Sequence, residues 1–231
     1  ANNLNEALTP TNIRVARETT FGSSKCNPVR VGNAVLFMQR RGDPDNAGRK
    51  MREMAYSFEI DAFVANELTI WSEHITGEGV TKLAYQADPD SLVWGVRADG
   101  YLPCLTYERA QEVVAFHKHW LGGYSDSGQS VRTIVEQAAS IPGTSSDELW
   151  VVAKRYINGG TVRYIEYLSH WDAHVEKEDG IFCDSAITYS GSAATIITGL
   201  WHLIGQTVTV LADGAVIADK TVSATGTITL S

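Results

Sequence analysis

The stretch DSLVWGVRADGYLPCLTYE, residues 90–108, carries the pattern from which the fold is predicted. Its two halves are rich in β-branched and aromatic residues, and Asp99-Gly100 stands between them. Such a dipeptide accepts the positive φ that tight hairpin turns demand. The stretch therefore predicts two antiparallel strands, 91–97 and 101–108, joined by a short turn.

A second stretch repeats this pattern. ELWVVAKRYINGGTVRYIEYL, residues 148–168, turns at Asn158-Gly159, and Asp147-Glu-Leu149 corresponds to Asp90-Ser-Leu92. A weaker third copy begins at NAVLFMQRRG, residues 33–42. If Leu36, Leu92 and Leu149 are equivalent, the copies are spaced 56 and 57 residues apart. A period of this size with several strands per copy is typical of propeller blades or stacked β units, which need neighbours to cover them.

Strand patterns dominate the first part of the chain, and we predict strands at 33–40, 81–86, 91–97, 101–108, 112–120, 131–140, 148–156 and 161–169. The stretch MREMAYSFEI, residues 51–60, fits both a helix start and an alternating strand. Leu68, Trp71 and Ile75 have helical spacing and predict a short connecting helix. The stretch LGGYSDSGQS, residues 121–130, predicts an exposed loop.

Small residues and threonine take over near residues 170–180, where we place a domain boundary. Beyond it we expect strands at about 186–189, 194–198, 207–212, 215–218 and 227–230, with Asp213-Gly214 as a hairpin turn. The predicted fold is therefore all-β. Residues 1–170 form propeller-like repeats of antiparallel strands, a partial set of blades, and residues 171–231 form a small antiparallel β domain.

Composition excludes several functional classes. The 231 residues carry a net charge of −8, with a pI near 5.2, which argues against an open basic surface that grips nucleic acid. No run of about 18 apolar residues predicts a membrane span, and the first residues lack the pattern of a secretory signal. Cys26, Cys104 and Cys183 are widely spaced, which favours free structural thiols made in a reducing compartment.

Two histidine clusters raise the hypothesis of a metal-dependent hydrolase. His117 and His119 are two apart on a predicted strand, so both imidazoles point to one face. Candidates for a third ligand are His74 and the residues of HWDAH: His170, Asp172 and His174. HWDAH lacks the glutamate of the H-E-x-x-H zinc pattern. The favoured interpretations are an exposed strand face for the pair and a polar linker for HWDAH, with no metal and no cofactor.

No nucleophile or phosphate loop is predicted. No G-x-S-x-G elbow is present, and Ser190 and Ser192 lie in a turn of small residues. Cys104 lies mid-strand with nothing nearby to lower its pKa. The stretch GSSK, residues 22–25, lacks the spacing of a phosphate-binding loop. We therefore predict no catalytic residues and no enzyme activity.

Two further sets of side chains fit structural roles better than chemical ones. The carboxylate pairs Asp88 and Asp90, and Asp147 and Glu148, precede strands, where such residues make turns. Four aromatic residues could line a carbohydrate groove, although strand aromatics more often serve the core: Trp94, Trp150, Tyr107 and Tyr164.

Several longer segments resemble one family. They are GNAVLFMQRRG (32–42), GRKMREMAYSFEIDAFVANELTIWSEHIT (48–76), KLAYQADPDSLVWGVRADGYLPCLTYERAQEVVAFHKHWLGG (82–123), DELWVVAKRYINGGTVRYIEYL (147–168) and ITGLWHLIGQTVTVLADGAV (197–216). In this order they resemble structural proteins of tailed bacteriophages, the large tail or head–tail connector proteins often labelled with the FCCH domain of ubiquitin-activating enzymes. The resemblance covers residues 9–230.

The resemblance implies a non-enzymatic virion component, made in the host cytoplasm and located in the tail. By analogy with the nozzle proteins of short-tailed phages, it implies a homo-oligomeric ring with other tail or connector subunits, through which double-stranded DNA passes transiently. Family members are longer than this chain, and three repeat units do not close a propeller. The alternative function is a host-surface or carbohydrate-binding tail module.

Overall fold

A computed structural model describes residues 7, 9–13, 17–42, 47–169, 183 and 185–230. These residues form an all-β fold of small antiparallel sheets. The predicted fold class is therefore confirmed. The predicted domain boundary at 170–180 lies outside the described residues.

Within the described residues, the repeat region contains three sheets in which the strands follow one another in chain order. The first sheet has four strands: β1 (Val29–Val31), β2 (Ala34–Met38), β3 (Met51–Ser57) and β4 (Ala62–Glu67). The second sheet has four: β5 (Val80–Gln86), β6 (Leu92–Arg97), β7 (Leu102–Glu108) and β8 (Val113–His119). The third has three: β9 (Ile134–Pro142), β10 (Asp147–Ile157) and β11 (Gly160–Leu168).

The repeat read from the sequence corresponds to these sheets. Leu36 lies on β2, Leu92 on β6 and Leu149 on β10, so each marks the second strand of its sheet. Leu36 and Leu149 are fully buried, and Leu92 is partly buried. Three successive sheets with matching second strands are what a partial set of propeller blades requires.

The second sheet is covered on both faces. One face packs on the first sheet, where Val93 and Leu105 meet Leu36 and Met38. The other face packs on the third sheet, where Trp94 meets Leu149. Strand β6 therefore buries the side chains on both of its faces. This explains why apolar and polar residues do not alternate in LVWGV.

Polar contacts also join the stacked sheets. Tyr107 on β7 donates a hydrogen bond to Glu53 Oε1 on β3 at 2.7 Å, and Arg109 pairs with the same carboxylate. On the other side, Trp94 Nε1 donates to Gln86 Oε1 at 2.8 Å, and Gln86 Nε2 donates to the carbonyl of Asp147 at 2.9 Å. Buried polar groups are therefore paired across both interfaces between sheets.

Two of the predicted hairpin turns have the expected geometry, and one differs. Asn158 and Gly159 have φ of 50° and 79°, as two-residue hairpin loops demand. In the loop between β6 and β7, Gly100 has φ of 88°, and its N–H donates to the carbonyl of Arg97 at 2.9 Å. Asp99 does not share that conformation. This loop is a three-residue hairpin in which the positive φ belongs to the glycine alone.

Other expectations need correction. Residues 51–57 form β3, so the helical interpretation of MREMAYSFEI was wrong. The connecting helix is only α1 (Glu73–Thr76), and Trp71 precedes it with 92% of its surface exposed. Strands β1 and β4 were not predicted. β1 is three residues long, and polar Asn66 and Glu67 end β4.

The C-terminal part forms a small β domain, as predicted. β12 (Ile196–Ile197) pairs with β15 (Ile228–Thr229), and β13 (Thr207–Ala212) pairs with β14 (Ala215–Thr221) across the predicted turn at 213–214. Residues 186–189 are not a strand, contrary to prediction. The buried core of the C-terminal β domain is small and consists of Leu200, Val222 and Ile228. No helix in the described part of the chain is long and apolar enough to cross a membrane.

Candidate functional site

The two histidines of β8 form a close pair. Both point to the same face, as predicted, and His117 Nδ1 lies 2.6 Å from His119 Nε2. Their rings pack against Trp94, with centroids 6.3 and 5.2 Å from the indole. Burial lowers the pKa of both histidines, and the nearby charge of His117 lowers the pKa of His119 further. The pair is therefore a neutral hydrogen-bonded contact near pH 7.

Within the part of the chain that the structure describes, no third metal ligand joins this pair. Among the described residues, no group of three or more His, Cys, Asp or Glu side chains is arranged to hold a metal ion. His74 lies on α1. His170, Asp172 and His174 of HWDAH lie outside the described residues, so the metal hypothesis for that cluster stays untested.

The carboxylate pairs make structural hydrogen bonds, one of which joins two sheets. Asp147 Oδ2 accepts the backbone N–H groups of Ala87 and Asp88, at 2.9 and 3.3 Å. Glu148 Oε2 accepts the indole N–H of Trp150 at 2.9 Å. Asp90 lies in the same loop as Asp88, before β6. The turn-making interpretation is therefore wrong for Asp147, because its side chain accepts the amides of the loop before β6 in the neighbouring sheet and not those of its own turn.

The nucleophile candidates are in ordinary settings. Cys104 is buried, and burial raises the pKa of its thiol far above the usual range. Burial also raises the pKa of Cys26 to about 11. Ser190 and Ser192 lie in an irregular exposed segment. A thiol with a raised pKa is a poor nucleophile at neutral pH.

The four aromatic candidates divide into two classes. Trp94 and Tyr107 are 3% and 5% exposed and belong to the two cores, so neither lines a groove. Trp150 and Tyr164 are partly exposed and lie on opposite faces of the third sheet. The core interpretation is therefore right for the first two residues.

Trp150 belongs to an exposed apolar surface, which we call the outer face of the third sheet. Its members alternate along three paired strands and point away from the second sheet: Ala139, Ile141, Trp150, Val152, Ile165 and Tyr167. A shallow depression of about 230 Å³ lies among them. Ile165 is 74% exposed, and the rings of Trp150 and Tyr167 lie 5.2 Å apart. A contiguous apolar surface of this kind is a candidate interaction site.

The turn between β3 and β4 forms a second exposed apolar surface, which we call the aromatic hairpin: Tyr56, Phe58, Ile60 and Phe63. Phe58 is 90% exposed and Ile60 is 61% exposed. The Tyr56 ring makes edge contacts with Phe58 at 5.0 Å and with Phe63 at 5.5 Å. The aromatic side chains of the turn thus contact one another while remaining in solvent.

A cleft of about 1010 Å³ lies between the third sheet and the C-terminal β domain. The rings of Tyr164 and Trp201 meet there at 6.0 Å. Beside them, Arg155 donates to both carboxylate oxygens of Glu166, at 2.9 and 2.8 Å. Aromatic faces with fixed polar groups are typical of ligand sites.

Comparison of this chain with protein-family models and with curated proteins gives no match. The resemblance to phage structural proteins therefore stays a prediction from the motifs quoted above.

Proposed function

We propose that this chain is a non-catalytic structural subunit of a bacteriophage tail or head–tail connector. The observation that carries the proposal is the contrast between the second and third sheets. The second sheet is covered on both faces, whereas the outer face of the third sheet leaves Ile165 and Tyr167 in solvent. A stacked β unit needs a neighbour on such a face.

The energetics favour a protein neighbour. Fully burying one large apolar side chain contributes about 1.5–3 kcal/mol relative to leaving it in water. The outer face of the third sheet and the aromatic hairpin each hold several such side chains. Contacts between subunits that bury these side chains would stabilise an assembly.

The remaining parts of the proposal come from the sequence resemblance. They are a ring with other tail or connector subunits, a location in the virion tail after synthesis in the host cytoplasm, and transient passage of double-stranded DNA. The net charge of −8 agrees with a subunit that does not hold passing DNA.

Cryo-electron microscopy of virions that carry a labelled copy of the chain tests the proposal. The expected result is label at defined positions of the tail or connector. Label found only in the fraction free of particles would rule the proposal out.

A second candidate function is host-surface or carbohydrate binding in the cleft, and the meeting of Tyr164 and Trp201 favours it. Sugar rings stack on aromatic faces while their hydroxyls bond to groups such as Arg155 and Glu166. If this function is right, a glycan array gives binding that Trp201→Ala abolishes. Trp71→Ala is the matched control, because Trp71 is exposed and outside the cleft.

A further inference from the structure

We propose that the aromatic hairpin of one copy docks on the outer face of the third sheet of a second copy, so that copies join head to tail. This inference rests on the proposed function as an assembly subunit, and it names the two surfaces that meet.

The aromatic hairpin has the properties of an interface anchor. Phe58 projects from a two-stranded turn whose register is fixed by the pairs Tyr56 with Phe63 and Ser57 with Ala62. The edge contacts among the three aromatic rings restrict their motion, so little entropy is lost when they bind. Aromatic residues, phenylalanine among them, are enriched at protein interfaces.

The rest of the first sheet is less available. Its face away from the second sheet carries Arg52, whose guanidinium lies 3.3 Å from the ring centroid of Phe21. Phe37, beside Arg52 on β2, is buried. The first sheet therefore offers the hairpin, and not its whole face, to a partner.

The outer face of the third sheet suits a protein side chain better than a small molecule. Its depression of about 230 Å³ is below the roughly 300–1,000 Å³ of usual ligand cavities. Its lining is apolar, with Val152 and Ile165 paired across β10 and β11. A ring such as that of Phe58 fits this chemistry without an unpaired polar group.

The charges beside the two surfaces are complementary. Glu59 and Asp61 lie at the exposed tip of the hairpin. On the third sheet, Lys154 and Arg163 are cross-strand neighbours on the outer face, and Glu136 pairs with Arg163 at 2.7 Å. Glu148, beside Trp150, makes the outer face neutral as a whole, but its end at Lys154 and Arg163 keeps one excess positive charge, which suits the acidic tip. The same acidic tip argues against docking on an anionic lipid surface.

The position of the surfaces decides the type of assembly. The first and third sheets lie on opposite faces of the second sheet, so the hairpin and the outer face of the third sheet belong to different ends of the stack. Contact between two different surfaces is heterologous and propagates until a ring closes or a filament forms.

Sedimentation velocity of the purified chain tests the inference through complementation. Phe58→Ser removes the anchor, and Ile165→Asp places an acid opposite the acidic hairpin; both side chains are exposed, so folding is preserved. Each single variant should self-associate at least about thirtyfold more weakly than wild type, the factor that corresponds to the ~2 kcal/mol of a hot spot.

An equimolar mixture of the two single variants should form dimers and nothing larger, because only one intact hairpin and one intact face remain per pair. The double variant should stay monomeric, and the control Trp71→Ser should assemble like wild type. A mixture that stays monomeric, or single variants that assemble like wild type, would overturn the inference.

Two further outcomes also overturn it. One is a wild-type chain that stays monomeric. The other is binding to phosphatidylglycerol vesicles that Phe58→Ser abolishes, which would identify a lipid as the occupant. The proposed function is judged separately by the position of the label in virions, so it stands or fails independently of this experiment.

Discussion

The buried hydrogen-bond chain between the second and third sheets gives the sharpest stability prediction. Trp94 is 3% exposed, and its N–H donates to Gln86, which in turn donates to the carbonyl of Asp147 on the third sheet. Gln86→Leu leaves the indole N–H without its acceptor. A buried unsatisfied group costs about 1–3 kcal/mol, and we expect a loss of about 2 kcal/mol in the free energy of unfolding.

Trp94→Phe creates the opposite defect. It leaves the Gln86 side-chain oxygen unpaired and removes part of the ring, so we expect a loss of about 2–4 kcal/mol. In the double variant, neither the indole N–H nor the Gln86 side-chain oxygen is present, so neither is left buried without a partner. Its loss should therefore be smaller than the sum of the single losses by about 1–2 kcal/mol, a coupling of the size found for residues in contact.

Urea unfolding followed by circular dichroism measures all three losses. Trp150→Phe is the matched control, because its indole N–H bonds to Glu148 at a partly exposed position, where water can replace the partner. We expect Trp150→Phe to lower the free energy of unfolding by less than about 1 kcal/mol. Additive losses at Trp94 and Gln86, or equal costs at Trp94 and Trp150, would refute the buried link between the sheets.

Three further predictions concern pH, backbone and thiols. Burial lowers the pKa values of the two β8 histidines, so the unfolded chain binds protons before the folded chain as the pH falls below about 6.5. The free energy of unfolding should therefore decrease in that range. In urea titrations, His119→Gln should make the free energy of unfolding depend less on pH. Gly100→Ala should lower the free energy of unfolding by more than about 1 kcal/mol, because its Cβ would lie 2.6 Å from a backbone atom of β9. Gly159→Ala should lower it by less, because a Cβ there would meet no atom within 4 Å. Ellman's reagent should label exposed Cys183 quickly and buried Cys104 only after unfolding.

Much of the repeat region could be predicted from local patterns. Asn158-Gly159 announces a hairpin because both residues accept positive φ, and the structure has both there. The spacing of Leu36, Leu92 and Leu149 predicted a repeated β unit, and each of these residues lies on the second strand of its sheet. Both features are local in sequence, so they can be recognised without knowledge of tertiary contacts.

The missed features depend on tertiary contacts. Strand β1 is short and forms because it pairs with β2, which no property of VRV alone reveals. Phe58 and Ile60 belong to the alternating-strand interpretation of residues 51–60, yet the strand ends at Ser57 and the chain turns at Asp61, whose φ is 49°. The acidic pair around Ile60 was the available signal for an exposed tip.

The candidate surfaces were only partly visible in the sequence. Alternation along β11 showed that Ile165 and Tyr167 lie on the same face of the strand. It did not show whether that face is exposed to solvent, since this depends on where the second sheet packs. Trp201 was not considered, because its partner Tyr164 is 37 positions away and meets it only in the folded chain.

Photo-cross-linking reports whether the aromatic hairpin of one copy contacts the third sheet of another copy. A photoreactive phenylalanine at position 58, in a copy of normal isotopes mixed with a ¹⁵N-labelled copy, reports what the hairpin touches. We expect cross-links between copies to peptides that contain residues 160–168 of β11. Cross-links confined to one copy, or to a different part of the second copy, would contradict this expectation.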